Sequence, residues 1–111
     1  MPRTLPRMTL TTQAVLRVLL DEPGKQHYGL EIGTATGLPS GTVHPILSRL
    51  ETLGWVDSSW EQVDPAQQGR PRRRYYRLNA SGAGMARDAL ARAYQSRARI
   101  VGRLRPVTET T

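Results

Sequence analysis

Apolar residues recur along this 111-residue chain at a helical period, switch to alternation in a central stretch, and then return to the helical period. Ala14, Val15, Val18 and Leu19 fall at helical spacing behind Thr11 or Thr12, either of which can cap a helix. Pro23 and Gly24 in "DEPGKQ" (21–26) end that helix. A short second helix is predicted over 28–36, "YGLEIGTAT", whose two glycines each cost about 1 kcal/mol relative to alanine. Glycine on a helix face also lets a neighbouring backbone come close, which predicts a tight crossing with the helix that follows. "GLP" (37–39) makes a turn, and Ser40 is a good cap for a third helix over 40–53. In that helix Val43, Ile46, Leu47, Leu50 and Leu53 form one buried stripe, while Thr42, His44, Pro45, Ser48 and Arg49 share the opposite face. Pro45 lies near the end of the first turn, where a missing N–H does least damage. Gly54 suits a left-handed position after the helix, with Trp55 folding back onto Leu50 in a Schellman-type stop.

The period then becomes two. "WVDSSWEQV" places Val56 and Trp60 on one side, and "RRYYRL" (73–78) turns Tyr76 and Leu78 inward and Tyr75 and Arg77 outward. "DPAQQGRPR" between them is rich in turn residues, so the segment reads as a β-hairpin with a long basic tip. Asn79–Ser81 offers two caps for a long final helix over 82–104, rich in alanine and arginine. The fold class predicted is mostly α with a small β-hairpin wing, a winged helix-turn-helix plus a C-terminal dimerisation helix. Residues 1–10 read as a flexible arm, 11–80 as the winged domain, 81–104 as the C-terminal helix and 105–111 as a disordered tail.

Charge sharpens this picture. The net charge is +7, but residues 1–69 carry five basic and seven acidic side chains, whereas 70–111 carry eleven basic and two acidic. All the basic residues except Lys25 are arginine, which suits bidentate contacts to phosphate or guanine. A basic second half predicts an acidic partner, with nucleic acid the first candidate. The chain has no cysteine, which excludes disulfides and thiolate metal sites. No apolar run approaches the roughly 20 residues needed to cross a bilayer, and "MPRTLPRMTLTTQ" has no apolar core of signal-peptide length. The chain is therefore expected to be soluble and cytoplasmic, with no membrane partner.

An α-helix fits the major groove of DNA, which is roughly 12 Å wide. On helix 40–53, Arg49 could bond bidentately to guanine, with Thr42, His44 and Ser48 reaching base edges or thymine methyls. Ser40 and the first N–H groups of the helix could hold a phosphate. The tip arginines Arg70, Arg72, Arg73 and Arg74 would lie on the backbone or enter a narrow minor groove.

Other functions find less in the chain. His44 has Ser40 and Ser48 at i−4 and i+4, but no nearby acidic residue to orient the imidazole, so no enzyme is expected. His27 and His44 lie far apart without an acidic cluster, which argues against a metal, and no cofactor is expected. A winged-helix module for RNA or a protein partner is the alternative, with Tyr75 the one aromatic placed for base stacking on a sheet.

"YGLEI" (28–32), "TGLPSGTVHPILSRLETLGWV" (36–56) and "GRPRRRYYRL" (69–78) with glycine at 82 closely resemble PadR-type transcriptional regulators, over about two-thirds of the chain. The resemblance implies a winged helix-turn-helix that binds operator DNA as a homodimer, usually as a repressor. It would place Tyr28 on the DNA backbone, Ser40, Thr42, Pro45, Ser48 and Arg49 in the recognition helix, and Gly69 through Arg74 in the wing. The family commonly has tyrosine where this chain has His44. A single C-terminal helix resembles the family's short form. Relatives that respond to phenolic or hydrophobic molecules make Trp55, Trp60 and Tyr94 the aromatics to consider for an effector.

Leu90, Tyr94, Val101 and Leu104 form a heptad-like seam interrupted by Arg97. A 23-residue helix spans about 34 Å, more than a domain this small can cover. A partner chain, sharing Val15 and Leu19 of the first helix as well, is expected to cover the rest.

Overall fold

The computed structural model describes residues 6–104; the predicted tail at 105–111 and half of the predicted arm fall outside it. Helix α1 runs Leu10–Asp21, two residues earlier than its expected caps would allow. Thr9 is the N-cap instead, its hydroxyl accepting from the Thr12 N–H at 3.2 Å. Thr12 is buried inside the first turn, and Gln13 reaches back to the Met8 carbonyl at 2.9 Å. Pro6 is also buried and Met8 packs half-buried against the core, while Arg7 and Thr9 are exposed.

A two-residue strand β1, His27–Tyr28, precedes α2, Gly29–Thr36. Gly37 ends α2 in the left-handed conformation (φ 76°), and three residues on, α3 runs Ser40–Thr52. Its N-cap is Pro39, so Ser40 occupies the first helical position and makes no side-chain cap. Helix α3 continues unbroken through Pro45 and stops as a Schellman motif. Trp55 N–H donates to Leu50 C=O at 3.0 Å and Gly54 N–H to Glu51 C=O at 2.9 Å, with Gly54 at φ 80°.

Strands β2 (Val56–Trp60) and β3 (Arg74–Leu78) form the predicted antiparallel hairpin, Val56 opposite Leu78 and Trp60 opposite Arg74. The sheet has a third strand that was not expected: β1 pairs with β3, His27 opposite Tyr76 and Tyr28 opposite Tyr75, giving the order β1-β3-β2. The hairpin tip contains a helical turn, α4 (Pro65–Gln68). Asp64 caps it through the Ala66 N–H at 3.0 Å, and Gly69 closes it at φ 67°. The final helix, α5, spans Ala80–Leu104.

Val15, Leu16, Leu19, Ile32, Val43, Leu47, Leu50, Val56 and Leu78 are fully buried, so helices α1–α3 close over the inner face of the sheet. Burying each such side chain stabilises by about 1.5–3 kcal/mol. Inward and outward residues alternate along β3 as expected, but on β2 only Val56 is buried; Trp60 is 53% exposed. Asn79 joins α5 to this core. It accepts at its side-chain oxygen from Gly82 N–H at 2.7 Å and donates from Nδ2 to Gly54 C=O at 2.8 Å. The architecture is a winged helix-turn-helix with a C-terminal helix.

Candidate nucleic-acid interface

The buried stripe of α3 fixes which of its side chains face outward. With Val43, Leu47 and Leu50 in the core, His44, Pro45, Ser48 and Arg49 are exposed and Thr42 is half-buried. This face carries one charge, that of Arg49. At the helix start, the N–H groups of Thr42 and Val43 both turn back to Pro39 C=O, at 2.9 and 3.1 Å. Those of Ser40 and Gly41 lie at a helix N-terminus, where no intrahelical acceptor exists. The His44 ring leans over the start of α2; a Cβ added at Gly29 would come within 2.7 Å of its Cε1. The glycines of α2 therefore admit a side chain at Gly29 and the turn's Leu38 carbonyl at Gly33, rather than the crossing backbone of α3.

Tyr28 joins the helix-turn-helix to the wing. It stands immediately before α2, half-buried, with its ring perpendicular to that of Tyr75 at a centroid distance of 5.9 Å. The Arg73 guanidinium lies over it, 4.2 Å from the ring centroid. Both tyrosines belong to the outer face of the sheet. Tyr75 is half-buried, perpendicular to the Tyr28 ring, and bonded through its hydroxyl to Glu61 at 3.3 Å.

The four wing arginines expected on nucleic acid separate into different roles. Arg70 grips both oxygens of Glu61, at 2.7 and 3.0 Å, and is committed to the wing's own fold. Arg74 turns to the inner face, where it donates to Ser58 Oγ at 2.7 Å, approaches Glu51 at 3.7 Å and stacks 4.9 Å from the centroid of Trp60. Arg72 is exposed, steadied by one bond from Nε to Val63 C=O at 2.9 Å. Arg73 projects over Tyr28. Of the four, Arg72 and Arg73 are the two whose guanidinium groups pair with no carboxylate among the described residues.

Glu61 was not anticipated. Besides Arg70 it accepts from Arg73 N–H at 3.2 Å and from Tyr75, and its side chain is only 11% exposed. The hydrogen bonds from Arg70 lower its pKa to about 2, helped by the Arg73 amide, the Arg70 charge and the Tyr75 hydroxyl, and opposed by burial. The same pair raises the Arg70 pKa above its ordinary value. No spacing pattern announces this hub. The α4 turn, by contrast, had a readable signal: "DPAQQG" is a capping aspartate, a proline at the first helical position and a closing glycine.

Val15 and Leu19, expected at a subunit interface, are buried in the chain's own core and offer nothing to a partner. Leu90 is partly buried against that core. Tyr94, Val101 and Leu104 are exposed, at 68%, 61% and 77%, with Ile100 beside them. Of the aromatics considered for an effector, Trp55 is a core residue. Among the described residues no helix is long and apolar enough to cross a membrane.

A model of the transcriptional regulator PadR-like family matches residues 15–88, from α1 through the wing into α5. The chain belongs to this family. A PadR family transcriptional regulator from Eggerthella lenta has a solved structure with a TM-score of 0.64 at 24% identity, covering 92% of this chain and 88% of that one. PcaV, a transcriptional regulator from Streptomyces coelicolor, gives 0.65 at 27% identity, over 91% and 68%. Overoxidised AbfR bound to DNA gives 0.61 at 28% identity over 80% of this chain, which spans 59% of AbfR. A comparison with curated proteins found no significant match. This PadR-like chain thus shares its winged helix fold with regulators that include a DNA-bound one.

Proposed function

We propose that the chain is a sequence-specific regulator of transcription, in the cytoplasm, that binds duplex operator DNA as a homodimer and represses. Helix α3 enters the major groove, where Arg49 pairs with guanine and Thr42, His44 and Ser48 meet neighbouring base edges; Pro45 packs beside them. Ser40 and the α3 N-terminus hold a phosphate, and Tyr28 meets the adjacent backbone. Arg72 and Arg73 lie along the backbone or in the minor groove. One observation carries this reading: a helix buried along one stripe presents an exposed face with a single positive charge, beside a wing offering two more.

The homodimer is supported by α5. Its 25 residues span about 37 Å, and apolar side chains stay exposed along its second half. A two-fold axis through that half would set two α3 helices on half-sites about one DNA turn apart. A small hydrophobic or phenolic effector near Tyr94 is part of the proposal. A compound of that kind would release DNA in parallel with a change in Tyr94 or Trp60 fluorescence.

The deciding experiment titrates the protein into DNA from upstream of its own coding region, random duplex DNA and structured RNA, at two salt concentrations. A site bound about 1,000-fold or more above random duplex supports the reading. Equal affinity for all duplexes, or preference for the RNA, overturns it.

A further inference from the structure

Glu51 stands at an awkward place. It occupies the last turn of α3, where a helix macrodipole disfavours a carboxylate, and it adds negative charge to the one helix proposed to read a polyanion. The structure supplies a reason. Ser58 Oγ donates to Glu51 Oε2, Arg74 Nη2 donates to Ser58 Oγ at 2.7 Å, and Arg74 approaches Glu51 itself at 3.7 Å. The three side chains come from α3, β2 and β3, and the Trp60 ring closes the cluster over the guanidinium at 4.9 Å. Arg74 lies on the inner face of the sheet with Tyr76 and Leu78, so its charge is directed at α3 and not outward.

We propose that Glu51, Ser58 and Arg74 form a strut that sets the angle between the recognition helix and the wing, and that Glu51 and Arg74 are positioning residues for DNA binding rather than contacts. The proposal rests on the DNA reading above. The wing joins the domain through two strands, and its outer face is held to the start of α2 by Tyr28, Tyr75 and Arg73. The Glu51 cluster is the matching tie on the inner face, reaching α3 directly. Simultaneous engagement of α3 and the wing on one duplex requires that angle to be fixed before binding, since a loose wing must be ordered at the cost of affinity. Both charged side chains are about a third exposed, and such pairs contribute little to stability. The strut's effect is therefore read in binding and not in melting.

The test uses the full chain as Glu51→Gln, Arg74→Gln and the double variant, measuring affinity for the selected operator across a salt series, with Tm as a folding control. A strut predicts that each single variant loses about two- to fivefold in operator affinity, that the double variant loses no more than either, and that the salt slope stays at the wild-type value. If Arg74→Gln lowers the slope by about 1, or Glu51→Gln tightens binding, Arg74 is a phosphate contact restrained by Glu51 and the strut is wrong. Additive losses in the double variant overturn it as well. Wild-type protein that selects no site removes the DNA reading and the strut with it; wild-type selection untouched by either variant removes the strut alone.

Discussion

The Arg70 guanidinium holds both carboxylate oxygens of Glu61, at 2.7 and 3.0 Å, across the base of the wing. Glu61 titrates at about 2 in the folded chain against an ordinary 4.5. Its depressed pKa means that the native state favours the ionised form. The stabilisation is complete above 4.5 and is lost as pH falls from there through about 2. Carbon-13 NMR of the Glu61 carboxyl should show this low midpoint in wild-type protein and a return toward the ordinary range in Arg70→Ala. A midpoint near 4.5 in wild-type protein would contradict the pairing. Because Arg70 is spent internally, Arg70→Ala should also leave the salt slope of DNA binding unchanged.

Arg49 and Arg72 should fail in different ways. On the proposed DNA reading Arg49 makes a groove contact, so Arg49→Ala should cost about 1–3 kcal/mol on the operator and little on random duplex. Arg72 on the same reading makes a backbone contact, so Arg72→Ala should weaken binding to both and reduce the salt slope by about 1. Fluorescence anisotropy on the two duplexes over a salt series separates these outcomes. Identical losses on both DNAs for Arg49→Ala would mean that it touches only phosphate.

Gly82 and Gly84 lie two residues apart on α5 and should respond oppositely to alanine. A Cβ at Gly82 would fall 2.0 Å from the Trp55 carbonyl oxygen, a backbone atom that cannot swing away. Gly82→Ala should therefore displace α5 and lower Tm by about 10 °C or more. Gly84 is exposed with nothing within 4 Å of its added Cβ, so Gly84→Ala should stabilise by about 0.5–1 kcal/mol through helix propensity. Thermal melts followed by circular dichroism test both; a neutral Gly82→Ala would place α5 further from Trp55.

What could be read from sequence were the features with local causes. The Val43–Leu47–Leu50 stripe, the Gly54 stop with Trp55 folded back, and the Tyr76/Leu78 alternation each follow from neighbours within a turn or a strand. These were enough to orient α3 and to assign the wing. The misses depend on partners distant in the chain. Strand β1 is two residues long and exists because β3 has a free edge, which no periodicity in "HY" reveals. Arg70 and Arg74 look alike in "GRPRRRYYR", yet one pairs with Glu61 and the other with Ser58 and Glu51, because Arg70 lies outside the strand, just after the α4 turn, whereas Arg74 opens β3 opposite Trp60. Val15 and Leu19 fit an interface pattern as well as a core pattern, and the closure of α1 over the sheet decided for the core.

The second half of α5 gives the last prediction. Beyond Leu90 the helix leaves its own domain, and Tyr94, Val101 and Leu104 stay exposed on it, with Arg97 between them. Apolar side chains repeated on one helix are normally covered, and no element among the described residues reaches them. Tyr94→Glu with Val101→Glu puts two carboxylates into that seam while keeping good helix formers, so the fold and its Tm should change little. In sedimentation velocity, wild-type protein should run as a dimer and the double variant as a monomer. Operator affinity should fall by about 100-fold or more, because the second half-site is then no longer tethered to the first. A variant that stays dimeric would move the subunit contact to another surface. A wild-type monomer that still selects its operator would remove the two-fold arrangement and leave the reading face of α3 to act alone.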